Sequence, residues 1–219
     1  MPRTRIKFCG VTRPEDAAAA AAAGADAIGL VFYSASARCV TAARAREVLA
    51  ALPPFVTPVA LFVNASAAEV TDVAGQLGLT TVQLHGDEPP DMVGRLGGLH
   101  VIKAIRAHPA ALAGAIAPWR LVPIVGLLLE TAGTAEPGGT GIANDWAGLA
   151  EARRAGLLDG LPPLIAAGGL TPETVGGVIR DLRPFAVDVS SGIEQARGIK
   201  SVQRMTALAA AVRVADASH

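Results

Sequence analysis

Short apolar runs alternate along the chain with alanine-rich stretches of helical periodicity. Several of the runs are apolar throughout, as expected of parallel strands that are buried on both faces. The alternation therefore predicts an α/β fold built on a parallel sheet. The runs predict eight strands, near Arg5–Cys9, Ala27–Phe32, Thr57–Phe62, Thr81–Leu84, Val101–Ala104, Ile124–Leu129, Leu164–Ala167 and Ala186–Val189.

The stretches between the runs carry helix start and stop signals. Thr12 and Thr171 each precede a proline and an acidic residue, which predicts threonine N-caps. Gly24 and Gly156 stand where helices are expected to end. Helices are predicted near Pro14–Ala23, Ala42–Leu52, Ala67–Gly75, Pro89–Leu96, Pro109–Ile116, Asp145–Ala155, Thr171–Asp181 and Ser201–Arg213.

Eight strands at a repeat of roughly 20 to 30 residues predict a (β/α)8 barrel, the TIM barrel. The alternative is a doubly wound open sheet, which normally has fewer strands and a glycine-rich GxGxxG first turn. The segment CGVTRP after the first strand lacks that pattern. Because no linker or low-complexity tail interrupts the alternation, residues 1–219 are predicted to form a single domain.

Composition excludes several function classes. Hydrophobic residues make up 51% of the chain, which excludes a disordered protein, and the net charge of zero argues against a nucleic-acid binder. No apolar stretch is long enough to span a membrane, and the first residues do not form a signal peptide. The two cysteines lack metal-ligand spacing, so we expect no metal site and a cytoplasmic protein.

The active site of such a barrel lies at the C-terminal ends of its strands. Small residues in the last two loops predict a phosphate site, although ordinary turns would also explain them. The other candidates also have structural alternatives: a buried thiol, a capping acid, a surface arginine and a structural histidine. The residues at these positions are Cys9, Arg38, Gln83, His85, Lys103, Arg106, Glu130, Gly168, Gly169, Asp188, Ser190, Ser191 and Gly192.

A family resemblance runs through the same residues, from Lys7 to Ile199. The motifs KFCGVTRPEDA, GADAIGLVFYSASARCV, LFVN, VQLHGDE, VIKAI, GGTG followed by DW, AAGGLTPETV and RPFAVDVSSGIE occur in order. Together they resemble the phosphoribosylanthranilate isomerase family. The resemblance implies a cofactor-independent step of tryptophan biosynthesis, in which N-(5-phosphoribosyl)anthranilate becomes its 1-deoxyribulose 5-phosphate isomer. The expected partner is thus a small phosphorylated substrate.

The resemblance also implies roles for individual residues. Cys9 stands where the family has its general base, and Glu130 stands where the family has its general acid, usually an aspartate. Arg38 matches the arginine expected to hold the anthranilate carboxylate, Asp188 matches an acid near the sugar hydroxyls, and His85 is a further substrate-binding candidate. The phosphate loops are matched by Gly168, Gly169, Ser190, Ser191 and Gly192, with the GGTG loop (138–141) beside them.

The reaction sets requirements on these groups. An acid must protonate the ribose ring oxygen, and a base must remove the C2′ proton. We therefore expect the pKa of Glu130 to be raised and Cys9 to have an environment that favours its thiolate. Glutamate is one methylene longer than aspartate, so three alternatives stay open: the acid is repositioned, the enzyme is slow, or the match is off by a loop residue, which leaves Glu136 or Asp145 as rival acids.

Three other functions remain open. A histidine-pathway aminoaldose isomerase is expected to have an aspartate at the position of Cys9, and indoleglycerol-phosphate synthase is expected to need more lysines than the three present. A barrel that binds phosphorylated ligands without turnover is the third. The sequence fits either a monomer or a homodimer.

Overall fold

Eight parallel strands close into a barrel, and each strand pairs with its neighbours in chain order. The computed structural model describes residues 3–130 and 145–218. Strand β1 pairs with β8 from Arg5 opposite Ala186 to Phe8 opposite Val189, which closes the barrel and confirms the predicted fold. The strands are β1 Arg5–Cys9, β2 Ala27–Val31, β3 Thr57–Phe62, β4 Thr81–Leu84, β5 His100–Arg106, β6 Gly126–Glu130, β7 Leu164–Ala167 and β8 Ala186–Val189.

Helices follow the strands and cover the outside of the barrel. Side chains of Thr41, Ser66, Asp145 and Ser201 cap four of them by accepting a backbone N–H three residues later. The helices are α1 Pro14–Ala23, α2 Ala42–Ala50, α3 Ala67–Leu77, α4 Leu112–Ile116, α5 Trp146–Arg154, α6 Val175–Leu182 and α7 Val202–Ala217. Short 3-10 helices occupy Pro90–Arg95, Pro109–Ala111, Ala117–Trp119 and Ser191–Ile193.

The two predicted threonine N-caps and one predicted helix are wrong, although α1 begins at Pro14 as predicted. The Thr12 hydroxyl donates to the carbonyl of Gly198, so α1 begins without a side-chain cap. Helix α6 begins only at Val175, because the residues from Thr171 form a turn closed by local hydrogen bonds. The segment predicted as a helix over Pro89–Leu96 forms a 3-10 helix over Pro90–Arg95 instead, and Gly94 within it weakens an α-helix.

The stop signals are confirmed. Gly24 ends α1 in the left-handed conformation at φ 99°, and Gly156 follows α5 at φ 76°. A short hairpin of β9 Glu194–Ala196 and β10 Ile199–Lys200 follows β8 and was not predicted, because its five strand residues carry too little alternation. Within residues 3–130 and 145–218, no helix is long and apolar enough to cross a membrane.

The core has two parts because each strand alternates its side chains between the two faces of the sheet. The larger part lies between the barrel and the helices. The smaller part lies inside the barrel and consists of two clusters, one of Val59, Ile102, Ala104, Leu128, Ile165, Ala167 and Ala186 and one of Cys9, Val31 and Leu61. Side chains of the same parity at the upper ends of the strands therefore point into the mouth of the barrel.

Lys103 on β5 faces outward, between the inward-facing Ile102 and Ala104, so it lies outside the mouth. Its Nζ donates to Glu88 Oε2 at 2.7 Å and to the carbonyl of Gly86 at 2.6 Å. The Lys103 and Glu88 side chains are only 4% and 1% exposed. Glu88 also accepts the backbone N–H groups of Asn64 and Gly86, so the pair fixes the loop after β4.

Replacing Lys103 with methionine is expected to lower the free energy of unfolding by about 3–5 kcal/mol, because Glu88 is left buried without its cation. Urea unfolding measures the change. The control is Arg95→Met, whose pair with Asp91 is exposed and contributes at most about 1 kcal/mol. Equal losses in the two variants would contradict a structural role for the Lys103–Glu88 pair.

Candidate active site

Cys9 ends β1 on the inner face of the barrel and is 7% exposed. Lys7 lies two residues earlier on the same face, and its Nζ donates to Asp188 Oδ1 on β8 at 2.9 Å. A methyl group on Gly29 of β2 would lie 2.7 Å from Cys9 Sγ and 3.1 Å from Lys7 Nζ. The thiol and the ammonium group therefore share one small space beneath the mouth.

Opposing influences act on the pKa of the Cys9 thiol. Burial raises this pKa, the Lys7 ammonium opposes that effect by its charge and a hydrogen bond, and the Asp188 carboxylate adds to the rise. The resulting pKa is above the ordinary thiol value, so the thiol is protonated near neutral pH. The expected thiolate-favouring neighbour is therefore present as Lys7, but burial outweighs it.

Two charge changes beside Cys9 are expected to shift its pKa in opposite directions. Lys7→Met removes the favourable cation and raises the pKa, whereas Asp188→Asn removes the competing anion and lowers it, each by about one to three pH units. The pH dependence of iodoacetamide alkylation measures both. A Cys39→Ser background is needed because Cys39 is a second, exposed thiol.

The double variant Lys7→Met/Asp188→Asn serves as the control, because it leaves neither charge buried without a partner. Its thiol is expected to titrate between those of the two single variants. Shifts of the same sign in both single variants would mean that they disturb the packing around Cys9 rather than its electrostatics.

Arg38 lies in the loop after β2 and is held by a carboxylate from the β9–β10 hairpin. Its Nε and Nη2 donate to Glu194 Oε1 and Oε2 at 2.7 and 2.8 Å, and Lys200 Nζ donates to the same Oε1 at 2.9 Å. Burial raises the pKa of Glu194, but hydrogen bonds and charges of Arg38 and Lys200 outweigh burial and lower it. The guanidinium group is thus fixed in orientation before any ligand arrives.

Gly10 allows Arg38 to reach this position. Its φ is +72°, and a methyl group there would overlap the Arg38 side chain and press on the Ser190 hydroxyl. The glycine after the first strand is therefore required both by its backbone conformation and by the close approach of Arg38.

Glu130 ends β6 on the inner face, opposite Arg106 of β5 in the strand register. Its Oε2 lies 3.3 Å from His85 Nε2 and 3.5 Å from Arg106 Nη2. His85 Nδ1 lies 2.8 Å from the Gln83 side-chain amide nitrogen. A cavity of about 190 Å³ opens beside Glu130, His85 and Arg106. The carboxyl group proposed as the acid is thus the end of a hydrogen-bonded row that faces a cavity.

The expected rise in the pKa of Glu130 is wrong for this protein without substrate. Burial raises the pKa, but the interaction with the His85 ring and the charge of the Arg106 guanidinium outweigh burial and lower it. The reason is that the sequence argument considered burial and neighbouring acids, whereas the fold supplies basic neighbours. The Glu130 carboxyl group is therefore ionised near neutral pH.

The two loops with small residues meet beside β7 and β8. Gly168 and Gly169 follow β7 with φ values of 98° and 65°, and Ser190 follows β8. Gly192 lies in the 3-10 helix Ser191–Ile193, where a methyl group would overlap the carbonyl oxygen of Leu170. The loops therefore touch at this glycine.

The rival acids have different positions. The Asp145 side chain caps α5 by accepting the Gly148 N–H at 2.9 Å. Glu136 and the GGTG segment (138–141) lie outside the described residues.

Sequence reasoning missed Lys7 and the Arg38 partners Glu194 and Lys200. For Lys7 the available signal was its position two residues before Cys9, because residues at this spacing lie on the same face of a strand.

A parallel β/α barrel with a thiol and a hydrogen-bonded carboxyl group at its mouth belongs to the class of barrel enzymes that work by acid–base chemistry. Comparison with known sequences identifies the family within that class. The family profile described as N-(5′-phosphoribosyl)anthranilate (PRA) isomerase matches residues 6–211. The chain is 47% identical over 215 residues to N-(5′-phosphoribosyl)anthranilate isomerase of Pseudomonas aeruginosa strain LESB58, covering 97% of each. The chain belongs to the N-(5′-phosphoribosyl)anthranilate isomerase family and is an isomerase.

Solved structures agree with this assignment. Phosphoribosyl anthranilate isomerase from Thermotoga maritima has a TM-score of 0.85 and 36% identity, covering 96% of this chain and 99% of that one. A phosphoribosyl anthranilate isomerase in complex with reduced 1-(o-carboxyphenylamino)-1-deoxyribulose 5-phosphate has a TM-score of 0.83 and 34% identity, with the same coverage.

Proposed function

We propose that this protein converts N-(5-phosphoribosyl)anthranilate into 1-(2-carboxyphenylamino)-1-deoxyribulose 5-phosphate, the isomerisation step of tryptophan biosynthesis, without a cofactor. The observation that carries the proposal is the placement of a thiol and a carboxyl group at the ends of β1 and β6, both on the inner face of one barrel mouth. The likeness to a structure that holds a reduced carboxyphenylamino-deoxyribulose phosphate supports the substrate class.

The reaction needs one acid and one base. Glu130 donates a proton to the ribose ring oxygen as the C1′–O bond breaks, and the nitrogen lone pair forms the C=N bond. The Cys9 thiolate then removes the C2′ proton, and the electrons of the C–H bond give the enolamine. Loss of the 2′-hydroxyl proton and addition of a proton at C1′ complete the ketone, so no net proton is consumed.

Protonation in the free enzyme is the reverse of what this sequence of steps needs. The thiol is protonated and the carboxyl group is ionised. The reactive arrangement has the same number of protons, because moving one from Cys9 to the acid produces it. Only a fraction of the enzyme has this arrangement at any time. Bound substrate that brings the pKa values of Cys9 and Glu130 closer together will increase that fraction.

Binding residues surround the two reactive groups. Arg38, held by Glu194, offers its guanidinium group to the anthranilate carboxylate. Asp188 and His85 face the sugar. The phosphate is proposed to bind the touching loops of Gly168, Gly169, Ser190, Ser191 and Gly192, where glycines let the backbone approach an anion.

Glutamate suits the acid position because His85 and Arg106 both contact its Oε2, the only oxygen of this carboxyl group for which the described residues show a side-chain contact, and we propose that Oε1 serves the substrate. The extra methylene moves the carboxyl group by about 1.5 Å relative to aspartate. The hydrogen bond to His85 fixes where that longer side chain ends. We therefore propose Glu130 as a working acid rather than a lost one.

The second candidate function is binding of a phosphorylated ligand without turnover, and it rests on the ionised state of Glu130. A histidine-pathway substrate is less favoured because a thiol stands at the base position. The single domain, the cytoplasmic location and the choice between monomer and homodimer remain predictions. The Thermotoga maritima enzyme is described as dimeric in a study of monomers generated from it.

Turnover separates the isomerase from the non-catalytic barrel. Freshly generated phosphoribosylanthranilate is followed by the decay of its anthranilate fluorescence. The wild-type protein is expected to convert it, Cys9→Ser to lose at least about 100-fold in kcat, and Glu130→Gln to lose about 100- to 10,000-fold. Glu130→Asp is expected to retain activity within about 100-fold, since it keeps the acid but shortens its reach.

The control is the exposed pair partner Asp91→Asn, which lies outside the mouth and is expected to leave turnover unchanged. Full activity in Cys9→Ser or Glu130→Gln would contradict the assigned roles. No turnover in the wild type together with turnover in Glu130→Asp would identify a barrel that has kept its ligand site and lost its acid.

A further inference from the structure

Gln83 lies on β4 below the mouth and is fully buried. Its side-chain nitrogen lies 2.8 Å from His85 Nδ1, and His85 Nε2 lies 3.3 Å from Glu130 Oε2. The three side chains therefore form one row from the barrel interior to the cavity. Gln83 Oε1 is the one buried side-chain oxygen or nitrogen among the described residues that has no hydrogen-bond partner.

A buried oxygen without a hydrogen-bond partner lowers stability, and the neighbouring His85 ring offers a reason why Gln83 Oε1 is left unpaired. With the amide nitrogen toward His85, Nδ1 must accept and Nε2 must carry the single imidazole hydrogen, which it donates to the Glu130 carboxylate. Half a turn of the amide exchanges its oxygen and nitrogen. Oε1 then faces Nδ1 and accepts a hydrogen from it, which the imidazole supplies when it carries a second proton.

We propose that Gln83, His85 and Glu130 act as one acid, in which His85 and Glu130 share a proton and the Gln83 amide turns to accept Nδ1–H when that proton is present. The inference rests on the proposed isomerase reaction and specifies its acid. Gln83 is a positioning residue, because it is fully buried and acts only through His85.

The proton balance is complete. In the loaded state Nδ1–H donates to Gln83 Oε1 and Nε2–H donates to Glu130 Oε2. Transfer of the Nε2 proton gives a neutral imidazole and a carboxylic acid, whose proton passes to the ring oxygen as the C1′–O bond breaks. The pair is then one proton short and regains it from the 2′-hydroxyl when the enolamine becomes the ketone.

The charges around the row are few within the described residues. Arg106 on β5 lies 3.5 Å from Glu130 Oε2 and favours the carboxylate. The loop after β4 adds Asp87 at the edge of the cavity and Glu88, which is held by Lys103. Arg106 thus opposes loading with a proton, and the acceptor that Gln83 provides to Nδ1–H supports it.

The test is Gln83→Met, which keeps the volume and removes the amide. Without an acceptor for Nδ1–H, the pair is expected to hold its proton less well. The titration midpoint followed by the ring ¹⁵N shifts of His85 should fall by about one pH unit, and kcat near neutral pH should fall about tenfold. KM should stay unchanged because Gln83 does not reach the substrate. The acidic limb of the kcat/KM profile should move to lower pH by the same amount.

Thr81→Val is the matched control, since Thr81 is buried on the same face of β4 two residues earlier. It is expected to leave the titration, kcat and KM unchanged. His85→Asn identifies the His85 signal by its disappearance. Unchanged His85 titration and kcat in Gln83→Met, with Glu130→Gln inactive, would overturn the shared acid and leave the isomerase intact. Because the ¹⁵N titration needs no substrate, it still tests the row if the wild type shows no turnover.

Discussion

The pairing of β1 with β8 is the constraint on which the rest of the structure depends. It closes the barrel, and in the same register it places Lys7 opposite Asp188. The resulting buried ion pair lies directly beside Cys9, so the geometry that completes the sheet also determines the electrostatics of the thiol. A shift of β1 by one residue in this register would turn Lys7 and Cys9 to the helix layer and leave Asp188 inside without its cation.

Two further buried ion pairs fix the loops around the mouth. Lys103 and Glu88 lie outside the barrel interior and fix the loop after β4. His85 is the first residue of that loop. Arg38 and Glu194 fix the mouth at the opposite part of the barrel. Each pair satisfies its own hydrogen bonds, which is the condition for a charge to be buried without a large penalty. Arg38 and the loop after β4 are thereby held in position before substrate binds.

The fold was predictable because strand and helix signals depend on local patterns that the chain repeats eight times. Five predicted strands have the observed limits, and the others differ by one to two residues at either end. The site was predictable only as a set of strand-end residues. Partners such as Glu194 and Lys200 come from a hairpin of five strand residues with little sequence pattern, and the pKa of Glu130 depends on neighbours from β4 and β5 that only the closed barrel brings together.

The pKa of Glu130 is lowered rather than raised, and this bears on whether Glu130 acts as an acid. If the acid were a lone carboxyl group, its ionised state would point to a lost activity. A carboxyl group that shares a proton with an imidazole is different, because the same contact that lowers its pKa also stores the proton it needs. Basic neighbours are then compatible with an acid role, provided that a buried acceptor holds the second imidazole hydrogen. Gln83 is the residue in a position to do so, and its unpaired oxygen is the cost of keeping that acceptor available.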